Sequence, residues 1–204
     1  MRVDILAGSP ENINSLLTFD SNANGARTDE CQDVAEELLV YQAWANDELL
    51  EKLAGLDPRD NEMKRRAALR LVNHIHIVSR IFAAHLTGAD HGYASDNTEE
   101  TPEPAELRAA MAESDRWYLD YLETFSKQRL AQPVAFTFTD GDKGCMTRQE
   151  MLIHVVLHCG YHRGEIGRML AQIELSPPWD TYVVHLHRAE PSRRLHGKPE
   201  PLDA

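Results

Sequence analysis

Cysteine is scarce in this 204-residue chain: Cys31, Cys145 and Cys159 are an odd number, widely spaced, with no CxxC pair. That argues against a disulfide framework and reads as reduced thiols in a cytoplasmic protein. Long apolar runs are missing as well. Nothing approaches the ~18 consecutive apolar residues of a transmembrane helix, and acidic and polar interruptions in the first twenty residues argue against a signal peptide. Basic charge is in deficit, with 21 Lys and Arg against 33 Asp and Glu and a net charge of −12. Such a surface repels phosphate backbones and anionic lipid, so neither a nucleic-acid nor a membrane partner is expected. Only Arg188, Arg193, Arg194 and Lys198 are locally basic. The sequence also lacks an obvious Ser-His-Asp set, a phosphate-cradling glycine loop and an HExxH element.

What is present is helical periodicity. The length suits one domain with appendages. Residues 1–32 hold Gly-Ser-Pro and Asn-rich stretches without a period and read as a poorly ordered extension. A first helix is expected from about Asp33, carrying Leu38, Tyr41, Gln42, Ala45, Leu49 and Leu53 and stopped by Gly55 and Pro58. A second spans about 61–86, with Ala68, Leu71, Val72, Ile75, Val78, Phe82 and Leu86 on one stripe and Gly88 just past its end. A polar loop at 89–104 leads to a third helix, about 104–128. After Pro133 the period becomes two, and Asp140-Gly141-Asp142 turns the chain, which predicts a short hairpin or extended loop. The last helix starts with Thr147 as N-cap and Glu150 three residues on, a capping box, and Pro177-Pro178 ends it. The whole is an all-α four-helix bundle over 33–187 with one long crossover, followed by a flexible tail at 188–204.

The chemistry concentrates in the last helix. His158 and His162 stand one turn apart, so their rings can converge on one ion. At roughly 100° per residue, His158 falls mid-stripe among Met151, Val155, Glu165, Ile166, Met169 and Ile173 and is expected to face a core. Gly160, Gly164, Gly167 and Ala171 lie opposite, where each Gly costs ~1 kcal/mol relative to Ala, which predicts close helix approach within the subunit or across a dimer. His154 is also four residues from His158, but His154 and His162 are ~12 Å of rise apart and cannot share an ion, so only one pair can serve. A third ligand must come from another helix. The second offers His74 and His76, on opposite flanks of the stripe at Ile75, and periodicity favours His74 only slightly.

The segments Tyr41-Gln42-Ala43-Trp44-Ala45-Asn46, Leu71-Val72-Asn73-His74-Ile75, Leu86-Thr87-Gly88 and His158-Cys159-Gly160-Tyr161-His162-Arg163-Gly164-Glu165-Ile166 resemble, in order and spacing, the DinB-like (damage-inducible, YfiT-like) metalloproteins. The resemblance covers about 33–187. It implies a four-helix bundle, usually dimeric, in which His74, His158 and His162 hold a divalent ion, Zn or Ni first and Fe or Mn next. His76 is then a solvent-facing flank residue, and His154 lines the pocket or packs. Glu165 and His154 are the catalytic candidates, Glu165 as proton shuttle or acceptor for a ligand N–H, with a salt bridge to Arg168 as the alternative. Ser79 stands where many relatives carry an acidic residue. The resemblance further implies a metal-dependent transferase or hydrolase that activates a low-molecular-weight thiol such as glutathione, or water, against a small-molecule electrophile. The other reading is a stress-linked metal-binding or interaction protein without turnover.

Overall fold

The structure is a computed structural model that describes residues 27–194 apart from 58, 60 and 125, with side chains from 34 onward except that of 127. The extension expected at 1–32 and the end of the tail from 195 lie almost wholly outside the described residues. Four long helices make the body: α1 (Arg27–Ala54), α2 (Glu62–Thr87), α3 (Pro104–Glu123) and, after the short α4 (Lys127–Leu130) and a hairpin, α5 (Arg148–Ala171). α1 and α2 each lie against α3 and α5, so the bundle closes as a ring. The all-α bundle read from periodicity is the fold observed.

Local chemistry sets the ends of the two helices that matter most. Gly88 closes α2 in the left-handed region at φ 73°, donating its N–H to the final turn, a conformation that glycine adopts without a Cβ clash. α5 begins with the capping box: Glu150 N–H donates to Thr147 Oγ1 at 3.1 Å and Thr147 N–H donates to Glu150 Oε2 at 2.7 Å. The crossover hairpin pairs β1 (Pro133–Thr137) with β2 (Lys143–Thr147) in antiparallel register, Ala135 opposite Cys145. Gly141, at φ 96°, makes its turn. α1 begins at Arg27, earlier than the expected Asp33, and α3 ends at Glu123 rather than near Gln128.

One expectation about α5 is corrected. Its core stripe is Met151, Leu152, Val155, Cys159, Arg163, Ile166 and Leu170, centred on Cys159 rather than on His158. The histidines therefore stand on a flank, half-buried at the core's edge. Glu165, Met169 and Ile173, which share the stripe of His158 in the sequence, are only half-buried, whereas Leu152, Cys159 and Arg163 to one side of it are buried. Of the two close approaches expected for the glycine face, the one within the subunit is not seen among the described residues. Gly164 is exposed, with no atom within 4 Å of where a Cβ would stand, and Gly167 meets only Pro177 of the returning chain.

A further helix, α6 (Tyr182–Ala189), and a 3-10 turn at Pro191–Arg193 occupy the region read as bundle end and tail. α6 is anchored on α1 by Tyr182 edge-on to Tyr41 at 5.6 Å, His185 against Trp44 at 5.2 Å, and an Arg188–Glu48 ion pair at 2.8 Å. Tyr41 and Trp44 are thus half-buried under α6, while Trp117 stacks on Tyr121 at 5.0 Å. No helix among the described residues is long and apolar enough to cross a membrane.

Candidate metal centre

α2 and α5 bring three imidazoles together. Ring nitrogens of His74, His158 and His162 all lie within 4.8 Å of one another, and the centroids are 4.5–4.9 Å apart. Among the described residues this is the group of metal-ligating side chains that converges in this way. His74 Nε2 and His158 Nε2 are 3.1 Å apart. Two nitrogens bound to one ion at ~2.0–2.1 Å stand about 3 Å from each other, so this spacing fits a shared cation.

The electrostatics agree. Burial, then the neighbouring His162, His74 and His154, push His158 down to about 3, so its ring is neutral and keeps a lone pair at physiological pH. The outward nitrogens of the other two rings have acceptors. His74 Nδ1 sits 2.9 Å from the Asp96 carbonyl oxygen, and His162 Nδ1 makes a longer 3.4 Å approach to Glu165 Oε2. A proton on each Nδ1 leaves Nε2 free to bind, the arrangement that metal-ligating histidines use. His158 Nδ1 is buried without a hydrogen-bond partner, so packing orients this ring.

The Asp96 carbonyl is held in place by the residue beside the ligand. Asn73, 1% exposed on α2, donates to Asn97 Oδ1 and Thr98 Oγ1, and Arg70 donates to the Thr98 and Glu99 carbonyls at 3.2 Å each. The polar loop of the sequence is thereby pinned across α2. This contact went unread, although a buried amide beside a candidate ligand is the signal that could have found it.

The other candidates fall outside the cluster. His76 is not solvent-facing: it is half-buried, its Nδ1 3.4 Å from Ser114 Oγ of α3, and burial lowers its pKa. It points away from the triad because two residues turn a helix by ~200°. His154 lies one turn before His158 with centroids 5.5 Å apart, its ring tilted against Phe82 at 4.5 Å, and burial lowers its pKa. His85 packs on Phe136 at 4.9 Å and on His91 at 5.4 Å. Ser79 is buried and bonds the Ile75 carbonyl. Cys159 is fully buried, its thiol pushed up to about 12 by desolvation, which makes it an inert packing residue.

Behind the triad runs a buried polar chain that periodicity did not resolve. Arg163, 4% exposed and next to His162, donates to Asp180 Oδ2 at 2.6 Å and to Asn46 Oδ1 at 2.9 Å. Asn46 and Gln42 in turn donate to Asp115 of α3, at 3.0 and 2.9 Å. Tyr41 donates to the other oxygen of Asp180. The chain ties α5 to α1, α3 and the segment before α6. Its sequence signal was two amides, Gln42 and Asn46, one turn apart on an otherwise apolar face.

His74 of α2 and His158 and His162 of α5 form one half-buried cluster that could hold a metal ion, with the second nitrogens of His74 and His162 facing acceptors. Comparison with curated proteins gives no significant match. The DinB family model matches residues 27–195, and the chain belongs to the DinB family.

Proposed function

We propose that His74, His158 and His162 hold one divalent metal ion, and that the protein is a metal-dependent enzyme acting on a small electrophilic substrate. The observation that carries this reading is the convergence of three imidazole nitrogens within 4.8 Å. Imidazole donors suit Zn or Ni, with Fe or Mn as further candidates. When bound, an ion held by neutral imidazoles supplies Lewis acidity that lowers the pKa of a nearby thiol or water, giving a nucleophile at neutral pH. A low-molecular-weight thiol such as glutathione is the nucleophile we favour, which makes the reaction a thiol transfer; hydrolysis is the variant in which water takes its place.

The chain's own residues divide the remaining work. The Asp96 carbonyl and Glu165 hold the ligand rings by their Nδ1 protons. His154, one turn from His158 on the same flank, is the residue we assign to accept a proton at its ring nitrogen. Phe82 and Phe136 keep that side apolar. A cytoplasmic setting fits the unpaired thiols of Cys145 and Cys159.

The test is glutathione conjugation to small electrophiles by metal-loaded protein against apoprotein. Metal-dependent turnover is expected, reduced in His154→Ala. Stoichiometric metal without activity above apoprotein, across thiols and electrophiles, would instead identify a stress-linked metal-binding or interaction protein without turnover.

A further inference from the structure

We propose that the cavity between α1 and α3, across the bundle from the imidazole cluster, binds a linear aliphatic diamine, one ammonium of which bonds Asp115. The cavity measures about 420 Å³. Asp115, 6% exposed, stands in its wall and is short of both a counter-charge and donors. It makes no ion pair among the described residues, because Arg163, the cation of the polar chain behind it, is held by Asp180 at 2.6 Å. The chain thus sets two carboxylates against one guanidinium. Asp115 Oδ2 accepts only the Asn46 amide, at 3.0 Å, and shares that amide with Oδ1. Gln42, whose amide donates to Asp115 Oδ1, is 1% exposed, and its side-chain carbonyl has no hydrogen-bond partner. A buried carboxylate without a cation is costly, and buried acceptors in excess of donors call for a donor-rich ligand.

The rest of the lining selects the ligand. Leu50, Met111 and Leu119 supply apolar wall that suits methylenes. Arg108, toward one end, is already taken by Asp47 at 2.6 Å and Glu51 at 3.4 Å. Toward the other end Asp120 and Glu123 are exposed and make no ion pair among the described residues. Asp115, Asp120 and Glu123 therefore outweigh Arg116, the remaining cation of the lining, and the cavity attracts positive charge. Along α3, Asp120 and Glu123 stand ~7.5 and ~12 Å of rise beyond Asp115. A few methylenes between two ammoniums join the buried carboxylate to that rim. The site lies apart from the imidazole cluster, so this inference and the metal reading stand or fall separately.

Isothermal titration calorimetry of the full chain with cadaverine, the five-carbon diamine, tests it. One saturable site per chain is expected. n-Pentylamine should bind about two- to fivefold more weakly for want of the rim contact, and pentanediol, which carries no charge, should not bind. Asp115→Asn keeps the side-chain shape and should weaken cadaverine about tenfold or more. Asp120→Asn combined with Glu123→Gln changes only exposed side chains, which leaves the core intact, and should bring cadaverine down to the affinity of n-pentylamine. Absence of saturable cadaverine binding by the wild type overturns the proposal. Affinity unchanged in Asp115→Asn, or equal affinity for pentanediol, also overturns it, because the attraction then does not come from this carboxylate. Equal affinity of the wild type for n-pentylamine overturns the assignment of a diamine.

Discussion

Replacing Arg163 with Met removes the guanidinium that joins three elements of the fold while keeping most of its aliphatic packing. The Arg163 side chain is 2% exposed and its bond to Asp180 is 2.6 Å. Its loss leaves the Asp180 carboxylate with the Tyr41 hydroxyl but without its cation, takes the donor from the Asn46 side-chain carbonyl, and removes the guanidinium from over the Tyr41 ring at 5.7 Å. Breaking a buried ion pair from one side costs about 3–5 kcal/mol, because the surviving charge stays desolvated. Asp180 retains 22% exposure and can recover some hydration, which sets the expectation at the lower end, about 3 kcal/mol. For a domain of this size that lowers the melting temperature by about 6–12 °C. Differential scanning calorimetry is the assay. Arg163→Lys should lie between wild type and Met, since an ammonium keeps the charge but cannot make both bonds in the fork geometry. A melting temperature within ~2 °C of wild type for Arg163→Met would refute the reasoning and make the polar chain an incidental contact.

Asp115 gives a pH test. Burial raises its pKa despite the amide donors of Asn46 and Gln42, so the folded chain binds this proton more tightly than the unfolded chain. The stabilisation is full below the ordinary carboxylate value of about 3.9 and is lost as pH rises through the raised folded value. Denaturant titrations should show Asp115→Asn gaining on wild type as pH rises through that window; a difference that does not change with pH contradicts the assignment. A Cβ at Gly144 would stand 2.5 Å from Phe136 Cζ, so Gly144→Ala should push the ring off His85 and cost about 1–3 kcal/mol in chemical denaturation. Thr147→Ala removes the acceptor for the Glu150 N–H and should cost about 1 kcal/mol in the same measurement.

The bundle was legible because its signals are local. The Thr147/Glu150 box, Gly88 and the Asp140-Gly141-Asp142 turn each act within a few residues, and each stands where the pattern put it. The site was legible only in part. Spacing brought His158 and His162 to one flank but left His74 and His76 undecided, since that choice depends on how α2 is rotated against α5 and α3. The orientation of α5 was misread for a related reason: half-buried Met169 and Ile173 look like core residues in sequence, while the buried Arg163 does not. α6 was missed because its hold on α1 comes from ring contacts and Arg188 pairing with Glu48 across a long separation. The Arg163–Asn46–Asp115 chain escaped notice because its members are distant in the sequence and meet only once the helices pack.

Elemental analysis of untagged protein tests the central claim most directly. One divalent ion per chain is expected in the wild type, lost in His74→Ala, His158→Ala and His162→Ala and kept in His76→Ala, whose ring faces Ser114 instead. Equal loss in His76→Ala, or full retention in any of the three triad variants, would contradict the account.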